Sequence, residues 1–151
     1  MVPGNSLISE RLGILLLLNN TALTTSVTGV TSSYISLRAS NANYFQRFLA
    51  VVQAAANTGV LTVSVFKAAD TFGTGATAFL SATLTGTNAN NTAFMFDING
   101  ALVDTAKPFI ALHADTTGTG CTVNGMVLAE DARYEPVSAY NATGVQASVS
   151  G

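Results

Sequence analysis

The sequence is poor in charge. Only 9% of its 151 residues are Asp, Glu, Lys or Arg, whereas about 25% is typical of soluble domains. Six basic and eight acidic residues give a net charge of −2, so the electrostatic footprint of a nucleic-acid-binding protein is missing. A free monomer with so few charges is weakly protected against association. We therefore expect a surface that is partly covered by copies of the chain or by other subunits.

Cysteine and histidine occur once each, and tryptophan does not occur. The lone Cys121 excludes an internal disulfide and a cysteine-rich metal site, and without a basic neighbour we expect it to be a small core residue. A Ser-His-Asp arrangement would have to use His113, but no G-x-S-x-G elbow supplies the serine. His113 and Asp115 share one face of a predicted strand, yet a metal site needs further ligands.

The remaining candidate sites also lack the residue spacing that their chemistry requires. Asp97, Asp104 and Asp115 would bind Ca²⁺ only if their loops met, and no D-x-D-x-D-G spacing supports this. The glycine pairs in residues 73–75 and 118–120 lack the Lys-Ser/Thr and the helix of a phosphate loop. The sequence therefore predicts no catalytic residue, no cofactor and no metal, and a protein that is not an enzyme.

Long hydrophobic runs are also missing. The most apolar stretch, ILLLL at residues 14–18, is far shorter than the ~20 residues of a membrane-spanning helix. It lacks the basic start of a signal peptide, and Glu10 and Arg11 precede it. This favours a buried strand over a signal sequence, and we expect neither a membrane nor a nucleic acid as partner.

Thr, Ser, Asn and 13 Gly replace the missing charges, and 48% of the residues are hydrophobic. This composition is typical of β-sandwiches and barrels. Two apolar runs, residues 45–56 and 60–69, flank Asn57-Thr58-Gly59, and the second run alternates, which predicts a strand. Because Asn and Gly tolerate the positive φ of a tight loop, we predict a β-hairpin here. The alternative is a buried helix over residues 45–56, since FLAVVQAAA is good helix material.

Other short apolar stretches follow at regular spacing. We predict strands over residues 11–19, 34–39, 79–84, 93–98, 109–114 and 122–129. In the fourth of these, alternation places Asp97 outward and three residues inward: Phe94, Phe96 and Ile98. Residues 19–30 are a long loop or a weak edge strand, 102–104 a helical turn or a loop, and 115–120 the clearest hairpin loop in the chain.

About eight strands without intervening helix patterns predict an all-β fold. The spacing favours an antiparallel β-sandwich, either plain or a jelly roll, and leaves a small barrel open. We expect one β-sandwich domain over residues 10–136, with an N-terminal arm over 1–9 and a C-terminal arm over 137–151.

Three stretches carry a family resemblance: SERLGILLLLNN at residues 9–20, NYFQRFLAVVQAAANTGVLTVSVFKAADTFGTGATAF at 43–79, and PFIALHADTTGTGCTVNGMVLAEDARYEP at 108–136. In pattern and order they resemble the small capsid decoration, or cement, proteins of tailed bacteriophages. That family tends to show an aromatic strand, a Gly-containing turn, a T-V-type strand and an Asp/Gly/Thr loop. The likeness covers most of residues 10–136 and includes no signature motif, and neither the tail after Pro136 nor the thinly charged surface matches the family.

The resemblance implies a β-sandwich made in the host bacterial cytoplasm and placed on the outside of an assembled phage head. There it would bridge major capsid protein subunits, often as a homotrimer, without catalysis. Both arms would order on docking. One alternative is another virion part, such as a tail, head-completion or fibre protein. Another is a carbohydrate- or receptor-binding β-sandwich with exposed tyrosines, for which the candidates are Tyr34, Tyr44, Tyr134 and Tyr140.

Overall fold

Nine β-strands and no helix make up the described part of the chain. The structure is a computed structural model that describes residues 13–23, 29–37, 47–55, 57–86, 92–99, 105–118 and 121–130, with backbone pairing alone for 13–22 and 130. The strands are β1 (Gly13–Leu23), β2 (Val30–Thr31), β3 (Ile35–Ser36), β4 (Arg47–Ala55), β5 (Leu61–Ala68), β6 (Thr77–Leu84), β7 (Thr92–Asn99), β8 (Phe109–Thr116) and β9 (Cys121–Glu130).

The strands form two antiparallel sheets. One sheet has the order β1-β9-β4-β7, and the other has the order β2-β8-β5-β6, with β3 also paired to β8. Because β2 and β3 both pair with β8, they act as one interrupted strand, which leaves eight strands in all. This order is that of a jelly roll, so the predicted all-β antiparallel sandwich is confirmed in its jelly-roll form. Between the sheets β1 contacts β2 and β8, and β9 contacts β8, which places β4 over β5 and β7 over β6.

Strict alternation explains how the sandwich closes. On β4, the buried positions are every second residue, and the residues between them face solvent or are half-buried. The inward positions predicted for β7, Phe94, Phe96 and Ile98, are confirmed as buried. They belong to one core cluster that includes side chains from both sheets. Each such side chain contributes about 1.5–3 kcal/mol by leaving water. The largest fully buried side chains are Leu23, Phe48, Val52, Leu61, Val63, Val65, Ile98, Ile110, Leu112, Val123 and Val127.

The predicted hairpin between residues 45–56 and 60–69 is wrong, and so is the alternative helix. Both runs are strands, but β4 pairs with β7 and β9, whereas β5 pairs with β6 and β8. The connection between them crosses from one sheet to the other. Asn57, only 2% exposed, holds this crossing: its Nδ2 donates to the carbonyl oxygens of Gly59 (2.6 Å) and Gly86 (3.2 Å), and its Oδ1 accepts from Thr116 Oγ1 (3.1 Å).

Residues 115–120 do not form a hairpin either, because β8 and β9 lie in different sheets. This second crossing packs against the first one. The amide of Thr117 donates to the carbonyl of Val60 at 2.9 Å, and the Val60 amide donates to Thr117 Oγ1 at 3.0 Å. A Cβ on Gly59 would lie 2.5 Å from the amide nitrogen of Gly118. The glycine is therefore required for this close approach.

Strand limits differ from the prediction at several places. β1 continues to Leu23, so the first part of residues 19–30 is strand. Of the predicted strand over 34–39 the structure describes residues 34–37, and within these β3 is the part that is strand. The two arms, the 102–104 segment, Asp104, Tyr44, Tyr134 and Tyr140 lie outside the described residues. Among the residues that the structure describes, none forms a helix with the length and apolarity that crossing a membrane requires.

Candidate functional site

The outward face of the five-stranded sheet carries the lone histidine. His113 and Asp115 lie on this face, as predicted, because the core-facing residues of β8 are the alternate ones. Thr31 Oγ1 lies 2.8 Å from His113 Nδ1, and the Phe66 ring stacks on the imidazole with 4.4 Å between centroids. Gly29 also packs against the imidazole, because a Cβ at this position would come within 2.6 Å of the ring. The half-buried imidazole therefore contacts residues of both neighbouring strands, β2 and β5, or of their immediate flanks.

The surroundings of His113 favour its neutral form. Burial lowers the pKa of the imidazole, and the nearby Asp115 carboxylate raises it by a smaller amount. The serine nearest in register is Ser64, but this residue is 3% exposed and its hydroxyl bonds to Ser81 Oγ at 2.7 Å. This arrangement offers no accessible nucleophile for a histidine base. It explains His113 as a structural residue that joins β2 to β8.

The hydroxyl groups of this face satisfy one another across strands. Ser64 pairs with Ser81, and the Oγ1 atoms of Thr62 and Thr83 are 3.5 Å apart. No buried side-chain nitrogen or oxygen among the described residues lacks a hydrogen-bond partner. A polar face whose groups are already paired offers few free donors or acceptors to a ligand.

The acidic residues considered for Ca²⁺ do not converge. Asp115 lies on the outward face of the five-stranded sheet, and Asp97 lies on the outward face of the four-stranded sheet. In the described ranges no group of three or more His, Cys, Asp or Glu is arranged to hold a metal ion. Cys121 is fully buried, as expected for a core residue, and burial raises the pKa of its thiol, which keeps it protonated and unreactive.

The outward face of the four-stranded sheet is different, because its centre is apolar. Met95, Val51 and Met126 lie side by side on β7, β4 and β9, and Leu49 and Leu128 form the next row. Met95 is 72% exposed, Met126 39% and Leu49 37%. We call these five residues the methionine face. Contiguous exposed apolar groups of this kind mark interaction sites.

A second exposed apolar feature is the loop between β5 and β6, residues 69–76, which we call the Phe72 loop. Phe72 is 92% exposed, the highest value among the large hydrophobic residues that the structure describes. Asp70 organises this loop: its Oδ1 accepts from the amides of Phe72 (2.9 Å) and Thr74 (3.0 Å), and its Oδ2 accepts from Thr74 Oγ1 at 2.6 Å. These hydrogen bonds lower the pKa of Asp70, and the bond from the Thr74 hydroxyl has the largest effect.

Two further contacts fix the Phe72 loop to the sandwich. Lys107 Nζ donates to the carbonyl of Gly75 at 2.6 Å and to Thr77 Oγ1 at 3.2 Å. The Tyr34 ring packs against Gly73, which has a φ of +83° and no room for a Cβ. Partial burial raises the pKa of Tyr34. Of the four tyrosines considered for glycan stacking, Tyr34 thus serves to support a loop, and the other three lie outside the described residues.

Neither apolar feature was predicted from the sequence. The alternation F-M-F in β7 places Met95 on the side opposite to Phe94 and Phe96, so its exposure follows from the same pattern that predicts the buried side chains. The signal for the loop was Asp70 two residues before Phe72, because Asp side chains accept from the amide two residues on in Asx-turns.

Comparisons with known proteins give no family. No family model and no curated protein matches the chain. Similar solved structures include a protein of Bacillus endospore appendages from a family of disulfide-linked pili (11% identity, 87% of this chain and 96% of that chain, TM-score 0.42). Others are the Triatoma virus empty capsid (12%, 81% and 87%, 0.34) and a CBM4 protein (15%, 70% and 60%, 0.39).

The distant structural neighbours thus include a virus capsid, a pilus protein and a CBM4 protein. The chain spans 60% of the length of the CBM4 chain that it matches. Because identities and TM-scores are low, the jelly-roll fold is assigned from the strand pairing itself and not from these likenesses.

Proposed function

We propose that this chain is a structural protein of a virion and, more specifically, a decoration protein that binds the outside of an assembled bacteriophage head and stabilises it by bridging major capsid subunits. The supporting observation is the pairing of a thinly charged sequence with exposed apolar groups. Only 9% of the residues are charged, and the methionine face and Phe72 present large apolar side chains to solvent. Apolar groups with few neighbouring charges are typical of surfaces buried against other subunits.

The jelly roll and the sequence resemblance agree with this role. Jelly rolls serve in viral capsids and also in lectins, so the fold alone does not decide between assembly and ligand binding. The resemblance to decoration proteins favours assembly.

Stabilisation of the shell would follow from mass action. A protein that binds assembled subunits and has no affinity for separated ones adds its binding free energy to the assembled state. At a free concentration of 100 times Kd each site adds about 2.7 kcal/mol. Many such sites on one shell would raise its resistance to heat and to osmotic shock.

The test uses undecorated heads that carry the major capsid protein of the same phage. We expect the purified chain to sediment with these heads at a saturating ratio, and the decorated heads to open at a higher temperature. Heads that already carry the chain are the control, because their sites are filled. If the chain stays in the supernatant at micromolar concentration, or binds without shifting the opening temperature, the decoration role is refuted.

One observation favours a carbohydrate-binding module as the second candidate. Phe72 is an exposed aromatic ring on an ordered loop, and aromatic rings of this kind can stack on sugars. A glycan array that shows binding by the wild-type chain and none by Phe72→Ala would support this role, and an array without signal would remove it.

A further inference from the structure

Two separate apolar features of the molecule have no partner within the described chain. One is Phe72, at 92% exposure, and the other is the methionine face, led by Met95 at 72%. They belong to different sheets, since the Phe72 loop joins β5 to β6 and the methionine face spans β7, β4 and β9. If one contact between two copies is to bury both features, it must place the Phe72 loop of one copy on the methionine face of the other.

The Phe72 loop is already held in one conformation. Asp70 accepts three hydrogen bonds from Phe72 and Thr74, and Lys107 ties down Gly75. The amide of Ala69 also donates to the carbonyl of Thr74 at 3.0 Å. A fixed loop loses little conformational entropy when it docks, so the apolar gain from burying the ring is retained.

The methionine face suits an aromatic partner. Methionine side chains are flexible and polarizable, they adapt to the shape of an inserted group, and their sulfur atoms make favourable contacts with aromatic rings. Met95 and Met126 lie on either side of Val51 in the same row. A phenyl ring placed over Val51 would meet a methionine on each side.

Both features carry one charge of each sign. On the loop side these are Asp70 and Lys107. On the sheet side they are Arg47 and Asp97, which are exposed on the outward face of the four-stranded sheet. When the loop of one copy approaches the methionine face of another, these groups can come near each other, which favours the correct orientation over others.

We propose that the chain binds a second copy of itself head to tail, with Phe72 of one copy seated on the methionine face of the next. A two-fold contact between methionine faces would leave Phe72 exposed, and a two-fold contact between loops would leave Met95 exposed. The head-to-tail contact buries both. Contacts of this heterologous type close into rings or continue as filaments. The inference deepens the assembly role proposed above and rests on it, but its test needs only the isolated chain.

A single loop on a sheet face makes a small interface, and transient complexes typically bury less than about 1,200 Å² of total surface. Association is therefore expected to depend on concentration. Sedimentation velocity and light scattering over a concentration range should show reversible growth beyond the mass of one chain. A wild-type chain that remains monomeric up to millimolar concentration overturns the inference, whether or not it binds phage heads.

The decisive experiment combines two variants. Phe72→Ala removes the inserted ring and keeps the face, whereas Met95→Lys places a charge on the face and keeps the ring. Each variant alone should be monomeric, and an equimolar mixture should form a heterodimer, because one intact contact remains between them. The matched controls are Thr71→Ala in the same loop and Thr83→Lys on the other sheet, and both should associate like the wild type.

Other outcomes would overturn the proposal in a defined way. If Phe72→Ala still associates while Met95→Lys does not, the contact is two-fold between methionine faces. If the reverse holds, the contact is between loops. If both variants are monomeric and their mixture is too, the two features do not meet. Circular dichroism of each variant should match the wild type, and since both positions are exposed, loss of the fold is not expected.

Discussion

Replacing Asn57 by Ala should weaken the crossing between the two sheets. The side chain is 2% exposed and makes three hydrogen bonds, to Gly59, Gly86 and Thr116. A hydrogen bond contributes about 1 kcal/mol net to stability. The bond to Gly86 contributes least, because that residue is exposed and water can replace the amide. We therefore expect a loss of about 2–3 kcal/mol in the free energy of unfolding.

This loss is large enough to measure. For a domain of this size 1 kcal/mol shifts the melting temperature by about 2–4 °C, so Asn57→Ala should melt about 4–12 °C lower. Urea unfolding should show a lower midpoint with an unchanged slope. Gln53→Ala is the control, because Gln53 is exposed on β4, and it should change stability by less than about 0.5 kcal/mol.

A double-mutant cycle with Thr116→Val separates the bond between Asn57 and Thr116 from the other two. The single and double variants should reveal a coupling of about 1 kcal/mol, because the two side chains are in direct contact. A loss below about 1 kcal/mol for Asn57→Ala would refute the reasoning. It would mean that the crossing is held by the core strands and not by this side chain.

Two further changes test the packing at other points. Gly59→Ala should cost about 1–3 kcal/mol, because its Cβ would lie 2.5 Å from the Gly118 amide nitrogen; an unchanged urea midpoint would contradict this contact. The pKa of His113 is lowered in the fold, so the unfolded chain binds the proton at a higher pH than the folded chain does. The free energy of unfolding should therefore be highest above about pH 6.5 and should fall as the pH drops below this value. His113→Gln should flatten this part of the pH profile of the urea midpoint, and an identical profile in both proteins would contradict a half-buried, neutral imidazole.

The strands were predictable from the sequence, but their partners were not. Alternation in β7 and β9 and the apolar runs of β4 and β5 specify strands with a buried side, because period two is a local property. Whether the chain after β4 returns in the same sheet or crosses to the opposite one depends on contacts made by Asn57 and Gly59 with residues far along the chain. The Asn-Thr-Gly sequence fits both cases locally, so the hairpin prediction failed there.

The same limit applies to the candidate site. The sequence placed His113 and Asp115 on one face because of the two-residue period of their strand, and it placed Cys121 in the core because this residue begins an apolar strand without a basic neighbour. It could not identify the methionine face, because the neighbours of Met95 come from β4 and β9, which pair across long separations. Exposure of Phe72 was hidden for a related reason: it results from bonds within its loop, not from hydrophobicity.

The two outward faces of this jelly roll differ in what they require. On the five-stranded sheet the cross-strand pairs of Ser64 with Ser81 and of Thr31 with His113 satisfy the polar groups internally, so that face is stable against water alone. On the four-stranded sheet exposed methionine and leucine side chains gain free energy only if something covers them. In the assembly that we propose, the apolar face would be covered and the polar face would stay in solvent. We therefore expect the outward face of the four-stranded sheet, not the face that carries His113, to be buried when the chain assembles. Protection of its exposed methionines from oxidation on assembly would measure this directly.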